Sequence, residues 1–182
     1  MDAAALVASL QEKLPGVRID PVPGVDPQIT LVVQRDDVPA LARVLRDDPA
    51  LAFDFLAELT AVDSWPKAPR FEVVYVLVSI PNRLRLRVKV PLGGDDPHVA
   101  TVSGVWPAAN WLEREVWDLF GIAFDGHPDP RRLLMPEDWQ GFPLRKDSPV
   151  QIRMTPTASE PLQVTEEEFR SNLMKDRLTR GR

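Results

Sequence analysis

Apolar residues recur along this chain with two different periods. Leu6, Val7, Leu10 and Leu14 fall at helical spacing; Asp2 as a cap and Pro15-Gly16 as a stop delimit a first helix. Residues 17–19 begin a strand, after which Pro21, Pro23, Gly24 and Pro27 force a turn. The β-branched run 29–33 is a strand. Asp36 or Asp37 caps a second helix with Pro39 in its first turn and Val38, Leu41, Val44 and Leu45 on one face. Residues 49–59 read as a helical turn leading into a strand over 59–62. Residues 71–80 are apolar on both faces, as in a strand covered on both sides.

After Pro81-Asn82 the period becomes two. Leu84, Leu86, Val88 and Val90 alternate with Arg85, Arg87 and Lys89, which predicts a half-buried strand with a basic outer row, paired with its predecessor in a hairpin. The row is either a solvated face or a docking surface. Gly93-Gly94-Asp95-Asp96-Pro97 is a loop without the Lys-Ser or Lys-Thr of a phosphate-binding motif. Residues 99–105 are expected to begin a helical segment, and Pro107 to open a helix that runs to Phe120 and ends at Gly121. The sum is an α+β fold: a small mixed β-sheet packed with helices, followed by a long extended C-terminal tail.

Beyond Phe124 periodicity disappears. Seven prolines fall between residues 125 and 164, yet Leu133, Leu134, Met135, Trp139, Phe142, Leu144 and Ile152 are too apolar for a disordered segment. Such a stretch must lie buried against something, its own domain or another subunit. This gives a globular domain over 1–124 and a proline-rich, subunit-binding tail over 125–182. The tail ends in a short helix begun by the capping box Thr165-Glu166-Glu167-Glu168.

On the helix before Gly121, Leu112, Val116, Leu119 and Phe120 form the apolar stripe, leaving Glu113, Arg114, Trp117 and Asp118 to the remaining surface. Arg114 and Asp118 stand one turn apart and can pair, as can Glu113 and Trp117 geometrically. An exposed pair contributes only about 0.3–0.5 kcal/mol. The alternative is that Glu113, Glu115 and Asp118 receive arginines from the following loop or from a partner, with Arg131, Arg132, Arg145 and Lys146 nearest in sequence. Arginine keeps carboxylates ionised, so ion pairing is favoured over acid–base catalysis.

Composition narrows the chemistry. The 182 residues contain no cysteine, which removes disulfides, thiolate nucleophiles and Cys-ligated zinc or iron–sulfur clusters. His98 and His127 are the two histidines, too few for a His-based metal site, and His127 in the Gly126-His127-Pro128 corner is expected to be a hydrogen-bonded structural residue. The net charge of −5 argues against nucleic acid as a partner. Asp129, Glu137, Asp138 and Asp147 offset the arginines of the tail. The first apolar run, residues 3–8, has the character of neither a signal peptide nor a membrane span, so any membrane attachment is expected to come through a partner.

The stretch from Trp111 to Pro149 carries a resemblance. Glu113-Arg114-Glu115, Asp118, Leu119-Phe120, His127, Arg131 and Leu133-Leu134 fall at a spacing similar to the signature of the C-type subunit of NADH-quinone oxidoreductase, the "30-kDa" subunit family of respiratory complex I. The resemblance implies a small α+β domain with a long C-terminal extension. It implies a place in the hydrophilic arm of a proton-translocating complex, on the cytoplasmic side of a bacterial membrane, as a peripheral part of it. The implied partners are the quinone-site (D-type) subunit and neighbouring arm subunits, and the chain itself holds no flavin, cluster or quinone. Glu113, Arg114, Glu115, Asp118, Gly121, His127, Pro128, Arg131, Arg132 and the loop residues Pro136, Glu137, Asp138, Trp139, Pro143, Leu144, Arg145, Lys146 and Asp147 then serve folding and subunit contact rather than catalysis. The pattern departs at Leu112, Pro130, Phe142 and Ser148, where the family usually has an aromatic residue, Leu, His and Tyr. Rival readings are the equivalent subunit of a membrane-bound hydrogenase or another donor–quinone oxidoreductase, a free-standing acid–base enzyme, and a nucleic-acid-binding module.

Overall fold

In the computed structural model, which describes residues 3–23, 26, 28–148 and 167, a five-stranded mixed sheet has the order β1-β2-β5-β4-β3. Helix α1 (Ala3–Lys13) buries Leu6 and Leu10, one turn apart, and ends before Pro15-Gly16. The cap expected of Asp2 lies outside the described residues. Strand β1 (Ile19–Val22) pairs antiparallel with β2 (Ile29–Val33). Pro21, expected in a turn, lies inside β1 instead. The sheet tolerates it because β1 is an edge strand, where a missing N–H need not leave a neighbour unpaired.

A 3-10 turn, Arg35–Asp37, leads into α2 (Val38–Asp47). Asp37 occupies the N-cap position but makes no side-chain cap, because its backbone is already helical from the preceding turn. The face of α2 carrying Val38, Leu41 and Leu45 is buried, as its spacing predicts.

Strand β3 (Phe55–Asp63) is longer than the four residues read from sequence, and a register shift at Leu56/Glu58 accommodates its break in alternation. Strands β4 (Phe71–Ser79) and β5 (Leu84–Leu92) form the expected hairpin, with Phe71 opposite Leu92 and Ser79 opposite Leu84. The Asn82 amide holds the turn by donating to the carbonyls of Ala50 and Leu51. Of the basic row, Arg87 pairs with Asp26 and Lys89 with Glu72, so part of its charge is neutralised within the sheet. Strand β5 runs parallel to β2 and stitches the N-terminal hairpin to the rest.

One expectation is reversed after β5. Residues 99–105 do not begin a helix. His98–Ala100 is a short strand, β6, paired in parallel with a second one, β7 (Ala123–Asp125), and turns follow before α3 (Ala109–Phe120). The β-branched Val99 is buried opposite Phe124, a partner 25 residues away that local pattern cannot announce. Gly121 ends α3 in the left-handed conformation at φ 71°, as its position suggests.

The core joins Leu6 and Leu10, the inner faces of β2, β4 and β5, and Val116, Phe120 and Ile122. Trp106 plugs one end and donates its indole N–H to the carbonyl of Phe53 at 2.9 Å. The compact unit that holds these strands and helices extends through Ser148. The expected contacts of residues 149–182 and their capping box lie outside the described residues, apart from Glu167, which is helical and exposed. Among the described residues no helix is long and apolar enough to cross a membrane, and no group of three or more His, Cys, Asp and Glu is arranged to hold a metal ion.

Candidate functional site: a strap anchored on buried carboxylates

Helix α3 supplies the centre of the site. Its polar residues do not form a solvated face: Glu113 and Asp118 are fully buried and Arg114 nearly so. Neither of the pairs expected along the helix surface governs the arrangement. Arg114 turns away from Asp118 and donates to the carbonyls of Arg131 and Arg132, both at 3.0 Å, with Asp129 at 3.5 Å. Its guanidinium also stacks 5.1 Å from the centre of the exposed Trp111 ring.

Asp118 gathers four donors. Oδ1 takes Arg132 Nη1 at 2.6 Å, and Oδ2 takes the backbone N–H groups of Leu133, Leu134 and Met135 at 3.0, 2.7 and 2.8 Å. Burial alone would raise the pKa of this carboxyl. The Met135 N–H, the Arg132 guanidinium and the Leu134 and Leu133 N–H groups together overcome that and hold it below the usual carboxylate value. A single ionised side chain thereby fixes three consecutive backbone units of the segment that follows.

Glu113 is treated in the opposite way. Oε1 accepts the Val102 N–H at 2.7 Å and Oε2 lies 2.5 Å from Thr101 Oγ1. None of the expected arginines reaches it; among the described residues the nearest basic group is His127, with Nε2 at 3.8 Å. Burial raises its pKa, and the Thr101 and Val102 hydrogen bonds offset this only partly. Glu115 is half-buried and makes no hydrogen bond or ion pair with the described residues.

The His127 side chain is buried and bonded at both ring nitrogens. Its Nδ1 accepts the N–H of Asp129 at 3.0 Å, which leaves the proton on Nε2, donated to the Asn110 carbonyl at 3.0 Å. Pro128, beside it, is exposed. Arg131 stays outside as well, in a two-pronged pair with Asp129 at 2.6 and 2.8 Å.

The last four carbonyls of α3 need partners from elsewhere. Trp117 O receives the Gly121 N–H, Asp118 O receives Arg132, Leu119 O receives the Leu144 N–H, and Phe120 O receives Arg145 Nε. Arg145 also donates to Gly121 O and lies 4.6 Å from the Phe142 ring and 5.2 Å from the Phe71 ring. Two cations thus sit at the negative end of the helix dipole. The strap continues to β3, where the Lys146 N–H reaches Asp63 Oδ2 at 2.9 Å and Asp147 pairs with Arg70 at 2.7 Å. Asp63 and Arg70 escaped sequence reading. Asp63 accepts Arg70, Trp65 N–H and Lys146 N–H; against the opposing push of burial, these lower its pKa to about 2. The available signal was an acid at a strand end followed seven residues later by an arginine just before the next strand.

Between its anchors the strap faces outward. Pro136, Glu137 and Asp138 are exposed, Trp139 and Pro143 are half-buried, and Leu134 and Leu144 are 60% and 48% exposed. Arg132 closes the inner side by donating to the carbonyls of Trp139 and Gly141.

Residues 31–153 match the family described as "Respiratory-chain NADH dehydrogenase, 30 Kd subunit". The chain belongs to this family. One of the C-type NADH-quinone oxidoreductase subunits of Rhizobium meliloti is 52% identical over 118 residues, covering 65% of this chain and 64% of that protein. The matched stretch thus spans somewhat less than two thirds of that relative. The C-type subunit of Herpetosiphon aurantiacus is 45% identical over 150 residues, 82% of this chain and 86% of that one. Among solved structures, a trypsin-resistant fragment of Nqo5 is similar with a TM-score of 0.55 and 36% identity, covering 68% of this chain and 98% of the fragment. The membrane-bound sulfane sulfur reductase, an archaeal respiratory membrane complex, contains a chain with a TM-score of 0.68 and 26% identity, covering 81% and 85%. The family match includes α3 and the whole strap.

Proposed function

We propose that this chain is a structural subunit of the hydrophilic arm of a proton-translocating NADH-quinone oxidoreductase, docked on the quinone-site subunit and carrying no redox centre of its own. The observation that carries this reading is the division of labour in the strap. Its arginines and backbone N–H groups turn inward onto Asp118, Asp63 and the end of α3, while Leu134 and Leu144 turn outward from an aperiodic backbone that cannot move away. A pinned segment with apolar side chains in solvent and an aromatic–arginine anchor nearby, Trp111 on Arg114, has the make-up of a recognition surface. Catalysis at the carboxylates is disfavoured because the donors around Asp118 are already committed and Glu113 is sealed from solvent.

The membrane is reached only through the complex, on its cytoplasmic side, and residues 125–182 serve as the clamp. The relative described as trypsin-resistant supports a domain that stands by itself, leaving the remainder of the chain to contact. A second reading is the equivalent subunit of a related respiratory complex fed by another donor, favoured by the likeness to the sulfane sulfur reductase chain. Affinity purification of the tagged full chain from native membranes tests both. Recovery with the quinone-site subunit and an NADH-oxidising module supports the first, and recovery with the quinone-site subunit without such a module supports the second. A chain that purifies alone, with Leu134→Asp and Leu144→Asp making no difference, overturns both.

A further inference from the structure

The function proposed above leaves one buried group unused. Glu113 and Asp118 stand five residues apart on α3, both buried, yet among the described residues only Asp118 has an arginine in contact. The surroundings of Glu113 explain why it has none. His127 stands 3.8 Å from Oε2 and is bonded elsewhere: its Nδ1 accepts the Asp129 N–H and its Nε2 donates to Asn110 O. Arg114, on the same helix, directs its guanidinium to the carbonyls of Arg131 and Arg132. From β4, Tyr75 contributes a buried hydroxyl with no hydrogen-bond partner among the described residues, whose pKa is raised by burial and by the charge of Glu113. Arg43 and Arg46 lie farther off, on the cleft wall described next.

The other side of Glu113 is a chain of hydroxyls. Oε2 is 2.5 Å from Thr101 Oγ1, and Thr101 Oγ1 is 2.8 Å from Ser103 Oγ. The Ser103 N–H, at 3.1 Å from Thr101 Oγ1, holds the pair in register. Thr101 has one hydroxyl proton and cannot donate to both neighbours at once. With Glu113 ionised, Ser103 donates to Thr101 and Thr101 to Glu113. With Glu113 protonated, every bond reverses: Glu113 donates to Thr101 and Thr101 to Ser103. In both states the Glu113–Thr101 and Thr101–Ser103 contacts stay hydrogen-bonded. The far end opens on a cleft of about 430 Å³ lined by Thr101 and Ser103 together with Arg43, Arg46 and Pro128.

The geometry points to Glu113 as a buried proton-binding site that exchanges with the cleft through Thr101 and Ser103. A proton delivered by water to Ser103 Oγ displaces the Ser103 proton onto Thr101 Oγ1, and the Thr101 proton moves to Glu113 Oε2. One proton enters, one is bound, and both hydroxyls are regenerated. Burial favours the protonated acid and raises the pKa of this carboxyl, against the pull of the Thr101 and Val102 hydrogen bonds and the nearby His127. The ligand is the proton itself, and neither this inference nor its test depends on which complex the chain joins.

The test is infrared spectroscopy of the full chain through a pH titration and after pH jumps. A carboxylic C=O band is expected to persist at pH values where exposed glutamates have ionised, and to be lost in Glu113→Gln. Its appearance after a downward jump is expected to be about a hundredfold slower in Ser103→Ala and Thr101→Val, the low end of what a positioned proton-transfer group contributes. Thr101→Ser, which keeps the hydroxyl, should restore the rate. Should Thr101→Val fail to fold, Ser103→Ala carries the comparison, because the Ser103 hydroxyl bonds Thr101 alone among the described residues. Absence of a Glu113 band, or rates unchanged in the hydroxyl variants, overturns the assignment.

Discussion

Asp118 and Arg132 meet at 2.6 Å beneath the strap, joining residue 10 of helix α3 to a backbone segment that has no regular structure of its own. The carboxylate does more than pair. Its second oxygen gathers the N–H groups of Leu133, Leu134 and Met135, which in a strand or helix would have found backbone acceptors. Asp118→Ala removes the ion-pair partner of Arg132 and the acceptor of three amides, and is expected to cost about 3–5 kcal/mol in denaturant unfolding, the range for breaking a buried pair. Hydrogen exchange should report the loss locally, with the amides of 133–135 unprotected before the sheet is.

Arg131, the neighbour of Arg132, is exposed, and among the described residues its side chain pairs with Asp129 alone. Arg131→Ala is expected to leave the unfolding midpoint nearly unchanged while lowering the amount of assembled complex in membranes. Electron transfer per assembled complex should stay constant. Equal losses of stability and assembly would count against a contact role for the outer strap.

Asp63 contributes to the acid limb of stability. In the fold it stays ionised down to about 2, whereas its ordinary value is 3.8. The stabilisation is therefore present above 3.8 and disappears as pH falls toward 2, with at most about 2 kcal/mol involved. Unfolding followed against pH should be flatter over that interval in Asp63→Asn, whose stability above it is reduced.

Glu113 has the opposite sign. A carboxyl whose pKa is raised by burial binds its proton in the fold at pH values where the unfolded chain has released it, so its contribution is full below the unfolded value and is lost as pH rises through the folded one. Glu113→Gln, which copies the shape of the protonated acid, is expected to remove that downward slope. A Gln variant with the same slope would assign it to another group.

Gly121→Ala tests the closing of the helix. At φ 71° an L side chain is strained by roughly 1–2 kcal/mol. The added carbon would also collide with the Phe142 ring and stand 2.6 Å from Arg145 Nη2. The calorimetric midpoint should fall by more than the backbone strain alone predicts, and Phe142→Ala in the same chain should recover part of the difference.

Strand β2, the β4–β5 hairpin and the glycine stop of α3 were legible because each is specified by its own residues: a β-branched run, a strict alternation, a Gly after the last apolar position. Strand β6 was not, since Val99 is held by Phe124 across a whole helix and nothing nearby distinguishes it from a helical start. The polar side of α3 was misread for a related reason. Helical periodicity sorts residues by hydrophobicity, and Glu113 and Asp118 are buried by virtue of donors that arrive from Thr101, Val102 and the segment 132–135. The motif was recognisable as a cluster; that its charges point inward required the partners to be seen. Arg145 and Lys146 were expected to meet carboxylates of α3, whereas one serves carbonyls at the helix end and the other lends only its N–H to Asp63.

The reach of the strap has a consequence for synthesis. A nascent chain that has emerged as far as Asp125 already holds the described strands and the three helices before them, yet Asp118 has none of its four donors and two carbonyls near the end of α3 still wait for Leu144 and Arg145. Asp63, 83 residues behind Lys146, is still short of one of its partners. The partners of Asp118 and of the end of α3, and one of those of Asp63, are therefore among the last parts of the described unit to be made, and residues 132–147 close the last turn of α3.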